Sequence, residues 1–405
     1  MAGERVELSL GEVCDVKQGR YLGPGDMSEV KTEQTPIPVI GANGILGYTD
    51  RPSYKAPVTL VTCRGSNCGM LQRTAGPTWI SNNAMACPPK KPHDSLYIHY
   101  VLQSTDFGEV ITGSAQPQIT TGHLNTKVIT ITRDPAEQKA IAAVLGALDD
   151  KIELNRRMNT TLEAMARALF QSWFVDFDPV RAKLDGRKPV GLDPATADLF
   201  SDSFQDSALG EIPHGWRLGT LGELVELRTD RVDATPAKDS TRYIALEDMP
   251  SKSIDLSSFQ LGSAVNSSIT AFRKGDVLFG SMRPYFHKVG LAFFDGITRT
   301  TTFVVRPRKD CFRHFALLHF FSDDVVAHST TASVGTTIPY VRWDSMESYR
   351  IPIPPDSLLV AFEKTVSPLV ERIAAQGEES RTLATLRDTL LPKLLSGELS
   401  VAAEN

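Results

Sequence analysis

Two stretches of the chain carry apolar residues at a spacing that alternates four and three, the seam of a coiled coil. The first runs Ile141, Leu145, Leu148, Ile152, passes two polar positions at Asn155 and Asn159, and resumes at Leu162, Met165 and Leu169. The second runs Phe362, Val366, Leu369, Ile373, passes Gln376 and Ser380, and resumes at Leu383, Leu386 and Leu390, a constant shift of 221. The pattern predicts two long helices, over 135–176 and 356–405. Asp134 supplies an N-cap and Pro135 the first helical position, and Pro392 is expected to end or kink the second helix. At 1.5 Å per residue, 135–175 spans roughly 60 Å. If the helices pair antiparallel, positions summing to about 531 face each other: Ile141 with Leu390, Leu145 with Leu386, Leu148 with Leu383, Leu169 with Phe362, and Asn155 with Gln376 at the centre. A polar central layer of this kind fixes register and orientation at some expense in stability. The alternative is that each helix packs on its own domain.

Elsewhere the period is short. Over 1–134, β-branched runs such as Val58–Thr62 and Val128–Ile131 are separated by turn clusters, Ala42-Asn43-Gly44 and Arg64-Gly65-Ser66-Asn67 among them. One helix is expected within His93–Gly108. Over 211–355, strands are expected at Asp276–Phe279 and Thr302–Val305, with a helix at Phe315–Phe321. The segment 177–210, rich in Pro, Gly, Asp and Ser, reads as a linker. The expectation is an α+β chain: two strand-rich mixed domains, 1–134 and 211–355, separated by two long helices that pair as an antiparallel coiled coil, with an internal pseudo-twofold repeat.

Composition narrows this picture. The 405 residues suffice for two or three cores. The net charge of −5 counts against nucleic acid, but its distribution weakens that objection. Residues 1–134 are neutral, 211–355 carry +1, and the remaining −6 sits in the helices and the linker. Local Arg and Lys patches on the variable domains therefore remain compatible with DNA. No apolar run reaches the ~18 residues of a spanning helix, and Met1-Ala2-Gly3-Glu4-Arg5 lacks a signal peptide's apolar stretch; a cytoplasmic protein is expected. The five cysteines, Cys14, Cys63, Cys68, Cys87 and Cys311, show no CxxC pair, so reduced structural thiols are expected and a metal site is not.

Catalytic signatures are absent from the sequence. It has no GxxxxGK[ST] loop, no Gly-rich dinucleotide fingerprint, no GxSxG and no HExxH. Phe177-Asp178-Pro179-Val180 lacks the second proline and the aromatic residue of an amino-methyltransferase motif. A non-catalytic chain is expected.

The duplication extends past the helices. Leu10-Gly11-Glu12-Val13 returns as Leu221-Gly222-Glu223-Leu224, shifted by 211. Gly210-Glu211-Ile212-Pro213-His214-Gly215-Trp216 precedes the second domain. Gly113-Ser114 to Ile119 matches Ala332-Ser333 to Ile338. Glu137–Ile141 with Leu148–Ile152, and Leu390–Leu399, mark the helices. Taken in order, these segments resemble the specificity subunit of type I restriction–modification enzymes over nearly the whole chain. That resemblance implies two target recognition domains, each reading half of a split double-stranded DNA sequence. It implies that the paired helices set the unread spacer and dock modification subunits, two of them, which carry S-adenosylmethionine and methylate adenine. A restriction subunit would add ATP-driven translocation and cleavage. The chain itself would bind no cofactor. Because the variable domains share little in their loops, the half-sites are expected to differ.

Base edges are matched by Arg for guanine, Asn or Gln for adenine and apolar groups for the thymine methyl, while phosphates take Lys, Arg, Ser and Thr. In the first domain the candidates are Arg64, Ser66 and Asn67, with Asn43, Arg73, Asn82, Asn83, Gln116 and Gln118. In the second they are Arg283 and Tyr285, aligned with Arg64 and Ser66 at an offset of 219, with Arg273, Lys274, His287, Lys288, Arg299, Thr336 and Thr337. Trp79, Trp173, Trp216 and Trp343 read as core anchors, with Trp173-Phe174 equally open to docking a partner. Competing readings are a restriction–modification enzyme with its own chemistry, a helical scaffold that does not bind DNA, and a solitary DNA binder without partners.

Overall fold

A computed structural model describes residues 3–113, 115–232, 241–261 and 268–401. Ser114, part of the serine-to-isoleucine motif, lies outside the described residues. The chain is α+β and folds as two compact units, Met1–Asp150 with Leu383–Asn405, and Lys151–Thr382. The division falls inside both long helices, Pro135–Phe170 and Asp356–Ser396, so each unit owns part of each helix.

In the first unit, strands β1 (Arg5–Ser9) and β9 (Val128–Thr132) pair antiparallel. A four-stranded sheet runs in the order β2 (Lys17–Gln18), β8 (Ala84–Ala86), β5 (Thr59–Thr62), β6 (Leu71–Arg73). A second sheet comprises β4 (Gly44–Thr49), β3 (Ile37–Gly41) and β7 (Trp79–Ile80). A helix at Ser95–Gln103 starts from Asp94, whose carboxylate accepts from the Leu96 and Tyr97 amides. It buries Tyr97 and Tyr100 with Ile141, Leu145, Leu391, Leu394 and Leu395 in one core.

In the second unit, the end of the first long helix is followed by what sequence treated as a linker. That segment carries helices at Asp178–Leu184 and Pro194–Asp198 and a hairpin of β10 (Phe204–Ser207) and β11 (Gly210–Pro213). It is folded because Val180, Phe200 and Ile212 bury in the unit's core. β12 (Arg217–Thr220) then pairs with β22 (Arg350–Ile353). A four-stranded sheet has the order β13 (Val225–Arg228), β21 (Thr302–Pro307), β18 (Val277–Gly280), β19 (Val289–Leu291). A five-stranded one runs β14 (Arg231–Val232), β17 (Ile269–Phe272), β20 (Gly296–Arg299), β15 (Arg242–Ile244), β16 (Gln260–Leu261).

The two units repeat one framework. Short helices at Leu10–Val13 and Leu221–Leu224 both start from a capping box, Ser9 with Glu12 and Thr220 with Glu223. The Leu10 amide donates to the Lys127 carbonyl and the Leu221 amide to that of Tyr349. Thr62 faces Ala84 across one sheet and Gly280 faces Thr302 across the other. The offset is thus 211 at the opening strand, 218 in the central sheet and 222 at the closing strand.

The helix seam departs from a strict heptad. Buried positions from Ile141 to Phe170 include Ile141, Leu145, Ile152, Asn155, Asn159, Glu163, Ala166 and Phe170, and those from Phe362 to Gln376 include Phe362, Val366, Val370, Ile373 and Gln376. Leu162, Leu169 and Leu369 only flank the core, and Met165 is exposed. An α-helix drifts by about 20° per heptad against a 3.5-residue repeat, which moves the buried face from Leu162 and Leu169 to Glu163 and Phe170. Leu386 is likewise 45% exposed, so it does not cover Leu145, and Leu383 and Leu148 are only half-buried. Leu391, Leu394 and Leu395 pack with Leu145 instead, with Leu390 partly buried beside them. The helix also continues through Pro392 to Ser396. Its end is held by those leucines and by Arg5, whose guanidinium donates to the carbonyls of Leu394 (2.9 Å) and Leu395 (2.7 Å).

The polar layers sit inside the second unit. Asn155 Nδ2 donates to Glu379 Oε2 (2.9 Å), to Ser380 Oγ (3.2 Å) and to the Gln376 carbonyl (3.5 Å). Asn159 Nδ2 donates to Asp255 Oδ2 (3.1 Å) and to the Ile373 carbonyl (3.3 Å). Glu163, buried one turn on, accepts from Ser253 Oγ (2.6 Å) and the Ile254 amide (3.2 Å). Burial raises the Glu163 and Asp255 carboxyls above the ordinary carboxylate range. A raised folded pKa means the fold holds the proton more tightly than the unfolded chain, so stability falls as pH rises through it. Glu163→Gln keeps the acceptor oxygen and removes the charge. It is expected to raise the unfolding midpoint at neutral pH, with the gain shrinking as pH falls from neutral into the acid range and the wild-type carboxyl protonates. Calorimetry across that range checks this; a loss of stability at neutral pH would contradict it.

Candidate nucleic-acid interface

In the first unit, β5 leads into a tight loop at residues 63–69. Gly65 and Gly69 take positive φ, 88° and 89°, which glycine adopts freely. A second loop closes onto it. The Gly65 amide donates to the Pro117 carbonyl (3.1 Å), the Ile119 amide to that of Cys63 (3.0 Å), and Thr112 and Gln118 exchange two backbone hydrogen bonds of 2.8 Å. Gly113, at φ 86°, is required there, because a Cβ would stand 2.6 Å from the Gln116 carbonyl oxygen. The β3–β4 hairpin joins through Asn67 Nδ2, which donates to Asn43 Oδ1 at 2.7 Å. Arg64, Ser66, Asn43, Gln116 and Gln118 are exposed and Asn67 half-exposed, so six of the candidates share one surface. Asn82 and Asn83 lie half-buried beneath it, their carbonyls accepting from Gln18 Nε2 (2.8 Å) and the Cys63 amide (2.9 Å).

Arg73 is separate. It pairs with Thr59 at the other end of β5, and its guanidinium donates to the Ser95 carbonyl (3.1 Å) and hydroxyl (3.3 Å). It ties the sheet to the helix rather than facing outward.

In the second unit, the loop after β18 is built the same way. The Arg283 amide donates to the Pro339 carbonyl (2.7 Å), the Val341 amide to that of Ser281 (2.9 Å), and Val334 and Tyr340 exchange bonds of 2.9 and 3.0 Å. Gly335, at φ 93°, matches Gly113. These bonds correct the sequence alignment. At an offset of 218 the counterpart of Gly65 is Arg283, and that of Arg64 is Met282. Arg283 accordingly occupies the left-handed region, φ 48°, and His287 matches Gly69 at φ 52°. A non-glycine residue there stores about 1 kcal/mol of strain. On the closing loop, Ile119 matches buried Val341, and Ile338 is exposed, so the serine-to-isoleucine motifs are not equivalent.

Arg283, Tyr285, Thr336 and Thr337 are exposed on this loop pair. The others are placed elsewhere. His287 is buried, its Nε2 2.8 Å from the Phe321 carbonyl oxygen, and burial pushes its imidazole pKa down. Lys288 Nζ donates to the Leu246 carbonyl (2.7 Å). Arg299 stacks on Tyr243, 6.0 Å from its ring centroid. Arg273 and Lys274 are exposed but precede β18, at the end opposite the loop. Sequence reasoning missed Phe286, Ile338 and Tyr340, all about half exposed here. Apolar residues in a loop ordinarily read as core, and only the backbone pairing reveals their outward position.

The loops 63–69, 112–119, 281–287 and 334–340 contain no Asp or Glu, and neither Arg64 nor Arg283 has an ion-pair partner among the described residues. Such surfaces attract phosphate and offer donors to base edges. Trp173 and Phe174 are fully packed: Phe174 lies 4.7 Å from Phe362 and 4.8 Å from Phe315 between ring centroids, which assigns them to the core. Trp216 is buried too, whereas Trp79 and Trp343 are half-buried. All five cysteines are free thiols; burial pushes Cys14 up to about 12. Among the described residues no cluster of His, Cys, Asp and Glu suits a metal ion, and no helix is long and apolar enough to cross a membrane.

A family model described as the type I restriction modification DNA specificity domain matches residues 4–164 and 213–360. The chain is 26% identical to the type I restriction enzyme MjaIX specificity subunit of Methanocaldococcus jannaschii, over 77% of this chain and 71% of that one. It is 24% identical to the HindI specificity subunit of Haemophilus influenzae, over 73% and 75%. Its fold is similar to the crystal structure of the type I restriction–modification S subunit from M. genitalium, with a TM-score of 0.59 and 16% identity over 97% and 96% of the two chains.

Proposed function

From the premise that the chain belongs to the type I restriction–modification DNA specificity family, we propose that it reads a split double-stranded DNA target, one half-site per unit. It is a specificity subunit and not a catalyst. The observation that carries the two-part reading is the repetition of one loop pair free of Asp and Glu, each presenting an exposed guanidinium with no ion-pair partner among the described residues. One loop framework repeated with different side chains suits two different half-sites.

The long helices act in this reading as the element that sets the unread spacer. At 36 and 41 residues they reach about 54 and 62 Å, against about 34 Å for half-sites one turn apart on B-DNA. They also dock two modification subunits, which hold S-adenosylmethionine; Leu154, Met165, Val360 and Leu386 leave exposed apolar surface on them for that purpose. A restriction and translocase subunit joins in the complete system, and the site of action is the cytoplasm.

The test is DNA retention by the complex with its modification subunits over a salt series. The reading predicts that log K falls linearly with log salt and that random DNA competes poorly. Assembly without salt-dependent retention would favour a protein scaffold instead.

A further inference from the structure

The equivalence of the loop pairs fixes which side chains occupy the same place in the two units, and at four of those places the chemistry inverts. At the offset of 218, Asn67 is replaced by Tyr285. At the offset of 222, Thr112, Gln116 and Gln118 are replaced by Val334, Ile338 and Tyr340. No insertion blurs the match, since Gly65 and Arg283, Gly69 and His287, and Gly113 and Gly335 all hold positive φ at corresponding positions. The apolar set is not buried by its own unit. Tyr285 is 51% exposed, Ile338 46%, Tyr340 46% and Val334 43%, with Phe286 at 45% stacked 4.8 Å from Tyr285.

Resting on the DNA-reading assignment above, we propose that the two units read their half-sites by different chemistry. The first uses amide hydrogen bonds to adenine edges through Asn67, Gln116 and Gln118. The second uses apolar contact with thymine methyl groups through Tyr285, Ile338 and Tyr340. Asn and Gln side chains match the N6 and N7 edge of adenine, whereas only thymine offers a methyl in the major groove. DNA, rather than an apolar protein surface, is the occupant because Arg283 and two threonine hydroxyls stand within the patch and its two loops carry no Asp or Glu; Asp323, outside them, lies 3.5 Å from the buried His287 ring. The left-handed backbone at Arg283 holds the aromatic turn outward, its amide fixed to Pro339.

The experiment uses the complex with its modification subunits on its methylome-defined target. Gln118→Ala and Tyr340→Ala assign the half-sites by showing where discrimination relaxes. Thymine is then replaced by uracil, and adenine by 7-deaza-adenine, in one half-site at a time. Uracil in the second unit's half-site is expected to weaken binding about fourfold per methyl lost, and 7-deaza-adenine in the first unit's half-site about tenfold. The opposite substitutions leave binding unchanged. Specific binding that ignores uracil in the second half-site overturns the inference alone, as does a second half-site without A·T pairs. Tyr340→Ala leaving DNA unaffected but weakening subunit assembly assigns the patch to a protein partner. Loss of all specific binding by the wild-type complex overturns the underlying reading as well.

Discussion

Phe362→Ala is expected to destabilise the second unit by about 3–5 kcal/mol. Phe362 is fully buried where the second long helix meets the end of the first. Its ring lies 4.7 Å from Phe174, 5.5 Å from Trp173 and 6.5 Å from Phe170, so truncation empties a volume that three rigid aromatic rings cannot collapse to fill. Denaturant unfolding followed by tryptophan fluorescence reads it directly, since Trp173 reports on the same cluster. A loss below about 1 kcal/mol, the level of a surface change, would mean the helix is not anchored there. Leu386→Ala is the matched control. It removes a comparable apolar group from an exposed position on the same helix, and its effect on the isolated chain is expected to stay within about 0.5 kcal/mol.

Arg64→Ala is expected to weaken specific DNA binding by the assembled complex about 10- to 100-fold, the range for losing one bidentate base contact. Arg64 is exposed, and its backbone pairs with that of Gln118 across the two loops. Arg73→Ala gives the contrast. Its guanidinium is committed to Ser95 at the other end of β5, so it loses stability, by about 1 kcal/mol, and leaves sequence discrimination intact. Titration of target against scrambled duplex separates the two. Equal effects of the two variants on discrimination would remove the loop pair from the interface.

The sequence carried the helices and the repeat because both rest on local, periodic signals. Alternating spacing around Ile141 and Phe362 needs no tertiary knowledge, and Asp134-Pro135 marks a helix start on its own. What stayed hidden was set by contacts far apart in the chain. The buried face rotates to Glu163 and Phe170 because a helix follows 3.6 residues per turn, not the heptad that the leucines suggested. Pro392 stays helical because leucines on either side of it bury and Arg5, at the far end of the chain, holds the final carbonyls. The interface was half legible. Gly65 signalled a loop of special conformation, but its counterpart is an arginine in the left-handed region, which no glycine count can find. His287 and Lys288 looked like surface donors until the carbonyls of Phe321 and Leu246 were placed beside them.

The two-part reading is tested most directly by co-expressing the chain with its modification subunits and mapping N6-methyladenine at single-molecule resolution. The account predicts methylation at a motif of two different half-sites separated by a gap of fixed length, with Arg64→Ala relaxing one half and Tyr340→Ala the other. Methylation at one uninterrupted motif, or a complex that forms and adds none, would contradict it.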